Sequence, residues 1–389
     1  MALHMCVRYN MINGSYCVLG GGCKVKDTPK ISSLDIKCFR GLKNLKLDDL
    51  SNINIFVGGN NSGKTSVLEL LKLMSAPYDV KMLKNVALQR MSDSVKRRKN
   101  IVEYIKNMMF KYGDGVGTTE YAINADITFY DCKKETLIIK AGVNEYFDEK
   151  NQLDKSLYIE YLQDEYIDDS KSYIIDNDGT VHNIDDNKIN AVGNISGNKH
   201  RPYHVQYMYI TSDDYSTYIK MMSERIISKG KDEILSIVRS FDGSISDINV
   251  LNDEIYLRDE KRGISLPLYA YGAGMQKAVF MSIAVAYCRG GVILIDEVDN
   301  ALNISAFRNV FSWFIKACID NNVQAFITTH SAEALDEIIS ISQDNYAKDD
   351  ILRVITLRKN PETGDSIAKI NTGSQAYEFR SDYRMELRI

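Results

Sequence analysis

The sequence predicts an α/β fold: a buried, largely parallel sheet with helices on both faces, and an inserted α+β subdomain. Short apolar runs such as VILI at Val292–Ile295 alternate with longer stretches of helical spacing, the pattern of a sheet covered on two sides. One run, Ile53–Val57, passes directly into a glycine-rich loop of the form G-x-x-x-x-G-K-T and then into a helix. Between the two ordered parts, residues 76–202 change to short alternating segments set among Asp-, Asn- and Tyr-rich turns.

The elements follow in order. Residues 1–30 read as a leader, either an upstream start before Met11 or a cloning-derived segment. Residues 31–75 give a strand, a Gly-marked turn and two further strands, ISSLDIKCFRG, LKNLKLDDL and INIFVGG. A helix comes next, with Val67, Leu70, Leu71 and Met74 on one face, and Pro77 marks its end. The 76–202 segment opens with a basic helical stretch, VKRRKNIVEYIKNMMFKYG, and continues in strands such as YAINADITFY. From 203 to 389 the order returns with HVQYMYIT, a polar helix to about residue 240 and the hairpin INVLNDEIYLRD. Strands and helices then alternate as far as ILRVITLRK. Neither a sustained heptad nor a fixed-period repeat is present.

Composition narrows the class. A chain of 389 residues with 44% hydrophobic and 26% charged residues fits a globular protein of two to three structural units. A net charge of -4 argues against wholesale coating of nucleic acid but leaves room for a local basic surface. The apolar runs fall far short of the roughly 20 residues of a membrane span, and no basic-then-apolar leader signals secretion. A cytoplasmic protein with no membrane partner is expected. The seven cysteines form no C-x-x-C pair and read as reduced thiols, and no His or Cys completes a metal site around Cys6, Cys17 and Cys23.

Four pieces carry chemistry. In Gly58–Thr65, GGNNSGKT, the backbone around Gly58, Asn60, Asn61, Ser62 and Gly63 can form a nest of N–H groups facing phosphates, reinforced by the helix N-terminus. Lys64 pairs with outer phosphates, Thr65 sets its hydroxyl on Mg²⁺, and Ser66 donates to an inner phosphate. The second piece, GVILIDEVDNALN, ends a buried strand in two carboxylates, at the crevice where α/β sheets bind ligands. Asp296 is expected to hold Mg²⁺, and Glu297 to polarise the attacking water. The third is the turn Gly272-Ala273-Gly274 opening a helix, a second anion-binding N-terminus. One subunit cannot apply both this turn and its own phosphate loop to one γ-phosphate, so a composite site across a dimer would give the turn a role. The fourth is His330 after the strand QAFITT, placed to touch the γ-phosphate.

With these motifs in order, the chain resembles the ABC-type ATPases of the RecF, Rad50 and SMC class. It is most similar to the ATPase half of the OLD (overcoming lysogenization defect) family. The resemblance rests on LDIKCFRGLKNLKL, INIFVGGNNSGKTSVLELL, LPLYAYGAGMQKAVFMSIAVAY, GVILIDEVDNALN and AFITTHSAEALDEI. It implies binding of ATP and Mg²⁺ in an ATP-sandwich homodimer, within which higher assembly is open. The turn Gly272–Gln276 would complete the partner's site, with Glu297 as catalytic carboxylate and His330 as switch histidine. Glycine at 272 stands where many relatives have serine, and Asn303 where close relatives have histidine, so slow turnover is expected. Gln206 is the candidate for the Q-loop glutamine, and Arg40 is expected to approach the nucleotide. Fewer residues follow His330 than the roughly hundred of a nuclease domain. The resemblance therefore implies a regulatory ATPase of bacterial anti-phage defence beside a separately encoded effector, such as a nuclease. The alternative is a RecF-type repair ATPase loading directly on DNA. Lys96–Lys99, KRRK, reads either as a solvated helix face or as a contact for nucleic acid. Tyr271 either stacks on adenine or packs.

Overall fold

The computed structural model describes residues 8–12, 15–19, 30–90, 101–112, 120–147, 153–162, 171–185, 188–191, 205–210, 218–223, 231–299 and 304–381. Cys6, Cys23, Lys96–Lys99 and Asn303 lie outside them.

Strands β1 (Arg8–Ile12) and β2 (Ser15–Leu19) pair as an antiparallel hairpin. Strands β3 (Ile31–Phe39) and β4 (Leu42–Leu47) then begin an antiparallel sheet. Its further strands are β6 (Phe110–Tyr112), β7 (Glu120–Phe129), β8 (Lys134–Phe147), β9 (Leu153–Leu162), β10 (Lys171–Asp176), β11 (Val181–Asp185) and β12 (Lys188–Ala191). Their order is β12-β11-β10-β9-β8-β7-β3-β4, with β6 on β7. The alternation in β7 buries Ile123, Ala125, Ile127 and Phe129 on one face, as expected of a half-covered sheet. The composition changes at residue 76, but the hydrogen bonding crosses that line, because β3 pairs with β7.

The second sheet is built from β5 (Ile53–Val57), β13 (Tyr207–Ile210), β17 (Val292–Ile295), β18 (Gln324–Thr328), β19 (Leu352–Lys359) and β20 (Ser366–Thr372). It runs β13-β17-β18-β5-β19-β20, parallel except for β20. A small three-stranded sheet of β14 (Ile245–Leu251), β15 (Glu254–Asp259) and β16 (Ile264–Pro267) pairs with neither, though its buried residues join the parallel sheet's core. The protein is thus mixed α/β, and the expected parallel sheet is one of two large sheets. The other is antiparallel throughout, and alternating burial along strands such as β7 fits a sheet covered on one face.

Helix α1 (Lys64–Met74) ends three residues before Pro77, and α2 (Val80–Leu88) begins at Asp79, whose carboxylate accepts the Lys81 N–H. Helix α3 (Ile101–Lys106) stops before the end of its basic stretch, because Phe110–Tyr112 joins the sheet as β6. Then come α4 (Lys231–Phe241), α5 (Ala273–Tyr287), α6 (Ile304–Asp320), α7 (Ala332–Tyr346) and α8 (Gly373–Ser381). Ile53, Ile55 and Val57 of β5 face a core shared with α4 to α7, while Phe56 faces α1 and the antiparallel sheet. The parallel sheet is therefore the middle of three layers. Residues 278–286 of α5 are buried in unbroken succession, the mark of a helix surrounded by protein.

Gln324, only 1% exposed, fastens the N-terminal strand to the parallel sheet. Its carbonyl accepts the Ile31 N–H at 2.9 Å, and its amide donates to the carbonyls of Ile31 at 2.8 Å and Ser51 at 2.9 Å. No helix among the described residues is long and apolar enough to cross a membrane.

Candidate nucleotide-binding site

The loop between β5 and α1 depends on backbone that side chains disfavour. Gly58 has φ 138, and a Cβ there would stand 2.3 Å from the carbonyl oxygen of Leu357. Gly63 has φ 104, with Leu42 Cδ2 at 2.4 Å from the same hypothetical carbon. Only glycine enters this conformation without strain while letting the chain close on itself. Lys64 Nζ lies across the loop and donates to the carbonyls of Gly58 at 2.9 Å and Gly59 at 3.0 Å. Burial lowers the Lys64 pKa, an effect that Asp296 and Glu297 partly oppose.

Strand order decides what faces this loop. Because β18 lies between β5 and β17, the end of β18 stands between the phosphate loop and the carboxylates. Asp296 Oδ1 accepts from Thr65 Oγ1 at 3.1 Å and from Thr328 Oγ1 at 2.6 Å, while its Oδ2 accepts from Tyr209 Oη at 3.2 Å. Burial, and then Asp296, push the Tyr209 pKa up, so that hydroxyl stays a donor. Thr328 Oγ1 also accepts the Glu297 N–H at 2.8 Å. That amide belongs to a residue at φ 49, a left-handed conformation uncommon for glutamate. One hydroxyl thus sets both carboxylate residues.

A charged cluster flanks the loop on the α1 side. Glu69, fully buried, takes a bidentate fork from Arg90, Nε at 2.7 Å and Nη2 at 2.6 Å, and an ion pair from Arg40 Nε at 2.7 Å. Arg90 Nη2 also donates to Ser66 Oγ at 3.1 Å. Two cavities meet here. The first, about 680 Å³, is lined by Arg40, residues 60–66, Arg90, Asn107 and His330. The second, about 520 Å³, is lined by Thr65, Glu69, Gln89, Arg90, Tyr209, Ala273, Gln276, Lys277, Asp296 and Glu297, with an apolar wall including Ile210, Phe280 and Ile295.

Asn60, Asn61, Ser62, Gly63, Lys64, Thr65 and Ser66 therefore share the first cavity with His330 and Arg40. Asp296 and Glu297 line the second, and Thr65 joins the two. His330 lines the first of these two cavities and Glu297 the second. Gly272 caps α5 with Gly272 and Ala273 exposed and Gly274 half-buried, and Ala273 borders the carboxylate cavity of its own chain. Lys277, one turn into α5, donates to the carbonyls of Val298 at 2.6 Å and Glu297 at 3.4 Å, tying the start of the helix to the carboxylate loop. Burial brings its pKa down to about 8, against the pull of Asp299 and Glu297.

Two expectations are corrected or resolved. Gln206 sits at the opposite end of the sheet, where its carbonyl accepts the Val292 N–H at 2.7 Å, because β13 runs parallel to β17 from that point. The glutamines that line the carboxylate cavity are Gln89 and Gln276. Tyr271 packs: it lies against the helical core, with its hydroxyl 3.5 Å from the carbonyl of Leu257. The sequence reading passed over Thr328, Tyr209, Glu69 and Arg90. The polar pair ending FITTH was a signal for Thr328, whereas nothing local marks Arg90.

The donor set suits a polyphosphate with a hard cation. Three cations line the first cavity and no carboxylate does. Thr65 and Asp296 offer adjacent oxygens of the kind Mg²⁺ takes together with phosphate oxygens and water. No group of three or more His, Cys, Asp or Glu among the described residues forms an all-protein metal cage.

Comparison with known proteins agrees with this chemistry. A family model described as "AAA domain, putative AbiEii toxin, Type IV TA system" matches residues 53–336. An "ATP/GTP phosphatase" of Helicobacter pylori is 24% identical over 339 residues, covering 79% of this chain and 88% of that protein. An uncharacterized protein of Methanocaldococcus jannaschii is 40% identical over 65 residues, 15% of this chain and 30% of that protein. Among solved structures, an SMC head bound to the C-winged helix domain of ScpA covers 88% of this chain and 98% of its own, with 12% identity and a TM-score of 0.44.

Proposed function

This chain belongs to that AAA-domain family, and on that premise we propose that it is an ABC-type, ATP-hydrolysing, dimerising switch. The observation that carries the reading is the knot of Thr65, Asp296 and Thr328, which joins the phosphate loop to the carboxylate end of the sheet. Lys64 and the loop amides would hold the phosphates of ATP, and Thr65 and Asp296 would hold Mg²⁺. Bound Mg²⁺ supplies charge neutralisation of the phosphates. Glu297, its backbone fixed by Thr328, orients the water and accepts its proton. The Helicobacter pylori relative named an ATP/GTP phosphatase supports hydrolysis.

The exposed turn Gly272–Ala273 would reach the partner's nucleotide in a homodimer. His330 then senses the γ-phosphate from the loop side. The cycle serves a separately encoded effector in bacterial anti-phage defence, and the family description, with its toxin of a type IV toxin–antitoxin system, supports a two-component setting. Coupling requires the effector to bind the closed and open dimers with different affinity.

Glu297→Gln tests the mechanism. The variant should keep ATP binding, lose turnover and accumulate as a dimer in ATP, seen by size-exclusion chromatography. Turnover at the wild-type rate would remove Glu297 from its role. A pull-down of tagged Glu297→Gln protein from its host, with ATP, tests the setting. A stoichiometric protein lost from Lys64→Ala supports the effector switch, whereas nuclease-sensitive DNA without a protein partner supports direct loading on DNA.

A further inference from the structure

The cluster around Glu69 holds more positive charge than its own balance requires. Glu69 is fully buried, so at least one guanidinium must stay with it. Arg40 can balance that charge, as an ion pair with Nε 2.7 Å from the carboxylate, Nη2 donating to it at 3.3 Å, and a side chain only 15% exposed. Arg90 adds a second guanidinium whose side chain is 46% exposed, and which forks onto the same carboxylate. The pair therefore carries one surplus positive charge. That charge stands at the one place where the phosphate-loop cavity and the carboxylate cavity meet, since Arg90 and Thr65 alone line both.

The direction of the surplus is set by geometry. The Glu69 fork fixes the guanidinium plane, and Nη2 then lies 3.1 Å from Ser66 Oγ, in the first turn of α1. The Ser66 hydroxyl is the group expected to donate to an inner phosphate. A phosphate oxygen bound by Ser66 comes within reach of Arg90 as well, since Arg90 Nη2 is already in hydrogen-bond contact with that hydroxyl. We propose that Arg90, oriented by Glu69, is a second cationic ligand of the nucleotide's inner phosphates, with the Ser66 hydroxyl holding its place between turnovers. This deepens the nucleotide reading above and rests on it. Inner phosphates are common to ATP and ADP, so Arg90 contributes to the affinity for both and little to the chemical step.

The test is calorimetric titration of wild type, Arg90→Ala, Arg90→Lys and Lys64→Ala with Mg·ADP and with a non-hydrolysable Mg·ATP analogue, beside ligand-free thermal melts. Removing one charge-assisted contact to an anion should weaken both nucleotides by a similar factor, about 10- to 100-fold. Arg90→Lys should recover part of the loss, keeping the charge but not the fork. The ligand-free midpoint of Arg90→Ala should fall only in part, because the two fork contacts are lost while Arg40 remains on Glu69. If Arg90→Ala binds both nucleotides as wild type does while Lys64→Ala is weakened, the Arg90 assignment falls and the nucleotide site stands. Unchanged affinity with a lowered midpoint makes Arg90 structural and overturns the proposal. So does a loss confined to the ATP analogue, which would move Arg90 to the γ-phosphate. If wild type binds neither nucleotide, the functional reading fails and takes this assignment with it.

Discussion

Replacing Thr328 by valine removes one hydroxyl and keeps the shape of the side chain. The residue is 1% exposed, so no water replaces what is lost. Asp296 Oδ1 loses its shorter donor, at 2.6 Å, and the Glu297 N–H loses its acceptor, at 2.8 Å. A hydrogen bond to a charged group contributes roughly 1.5–3 kcal/mol and an orphaned polar group costs about 1–3 kcal/mol. Asp296 retains Thr65 and Tyr209, so the combined destabilisation should be about 2–4 kcal/mol rather than the full sum. The catalytic effect should be separate and larger. Glu297 is held in a left-handed conformation whose amide is anchored on Thr328, and without the anchor its carboxylate loses its place. A displacement of about 1 Å at such a site lowers turnover on the order of 100-fold. Urea denaturation and steady-state ATP hydrolysis measure the two effects. Thr328→Ser keeps the hydroxyl and deletes a methyl, so it should cost about 1 kcal/mol and retain most turnover. A valine variant with the wild-type urea midpoint and turnover would refute the view that this hydroxyl sets both carboxylates.

Three other substitutions probe different parts of the molecule. Gln324→Leu orphans the amide and carbonyl of Ile31 and strips a donor from the Ser51 carbonyl, so stability should fall by about 2–4 kcal/mol in urea. A variant as stable as wild type would show that strand β3 needs no such fastening. Gly63→Ala places a side chain at φ 104 against Leu42 and should cost about 2 kcal/mol together with nucleotide affinity, measured by melting and titration. Lys277 has a folded pKa of about 8, below its unfolded value near 10.4. The unfolded chain therefore binds more protons between those values, so this group's cost is complete below pH 8 and disappears as pH rises toward 10.4. Urea midpoints across that window should rise less in Lys277→Met than in wild type. Parallel curves would mean that Lys277 is not desolvated as its place in the fold implies.

How much of this was legible in the sequence depends on how far each signal reaches along the chain. The phosphate loop is local: strand, glycines, lysine and helix follow one another within twenty residues, and backbone sterics at Gly58 and Gly63 demand those residue types. The carboxylate strand is legible for a similar reason, because four apolar residues ending in Asp296 and Glu297 announce a buried strand and its crevice. The antiparallel sheet was harder to see. The strands of its two parts are separated by α1, α2 and α3, and nothing in the alternation of β3 says that its partner is β7. Gln206 and Gln89 show the same limit at a single side chain. Composition makes them equal candidates, whereas the direction of β13 sends one to the far end of the sheet and the turn after α2 brings the other to the cavity that Asp296 lines. Arg90 is the extreme case, since its meaning lies entirely in a carboxylate 21 residues away that Arg40 already neutralises. Charge balance can be counted only after the fold has brought the three residues together. Residues whose role is to complete a local motif are thus readable one at a time, while those that set its electrostatics become readable only in space.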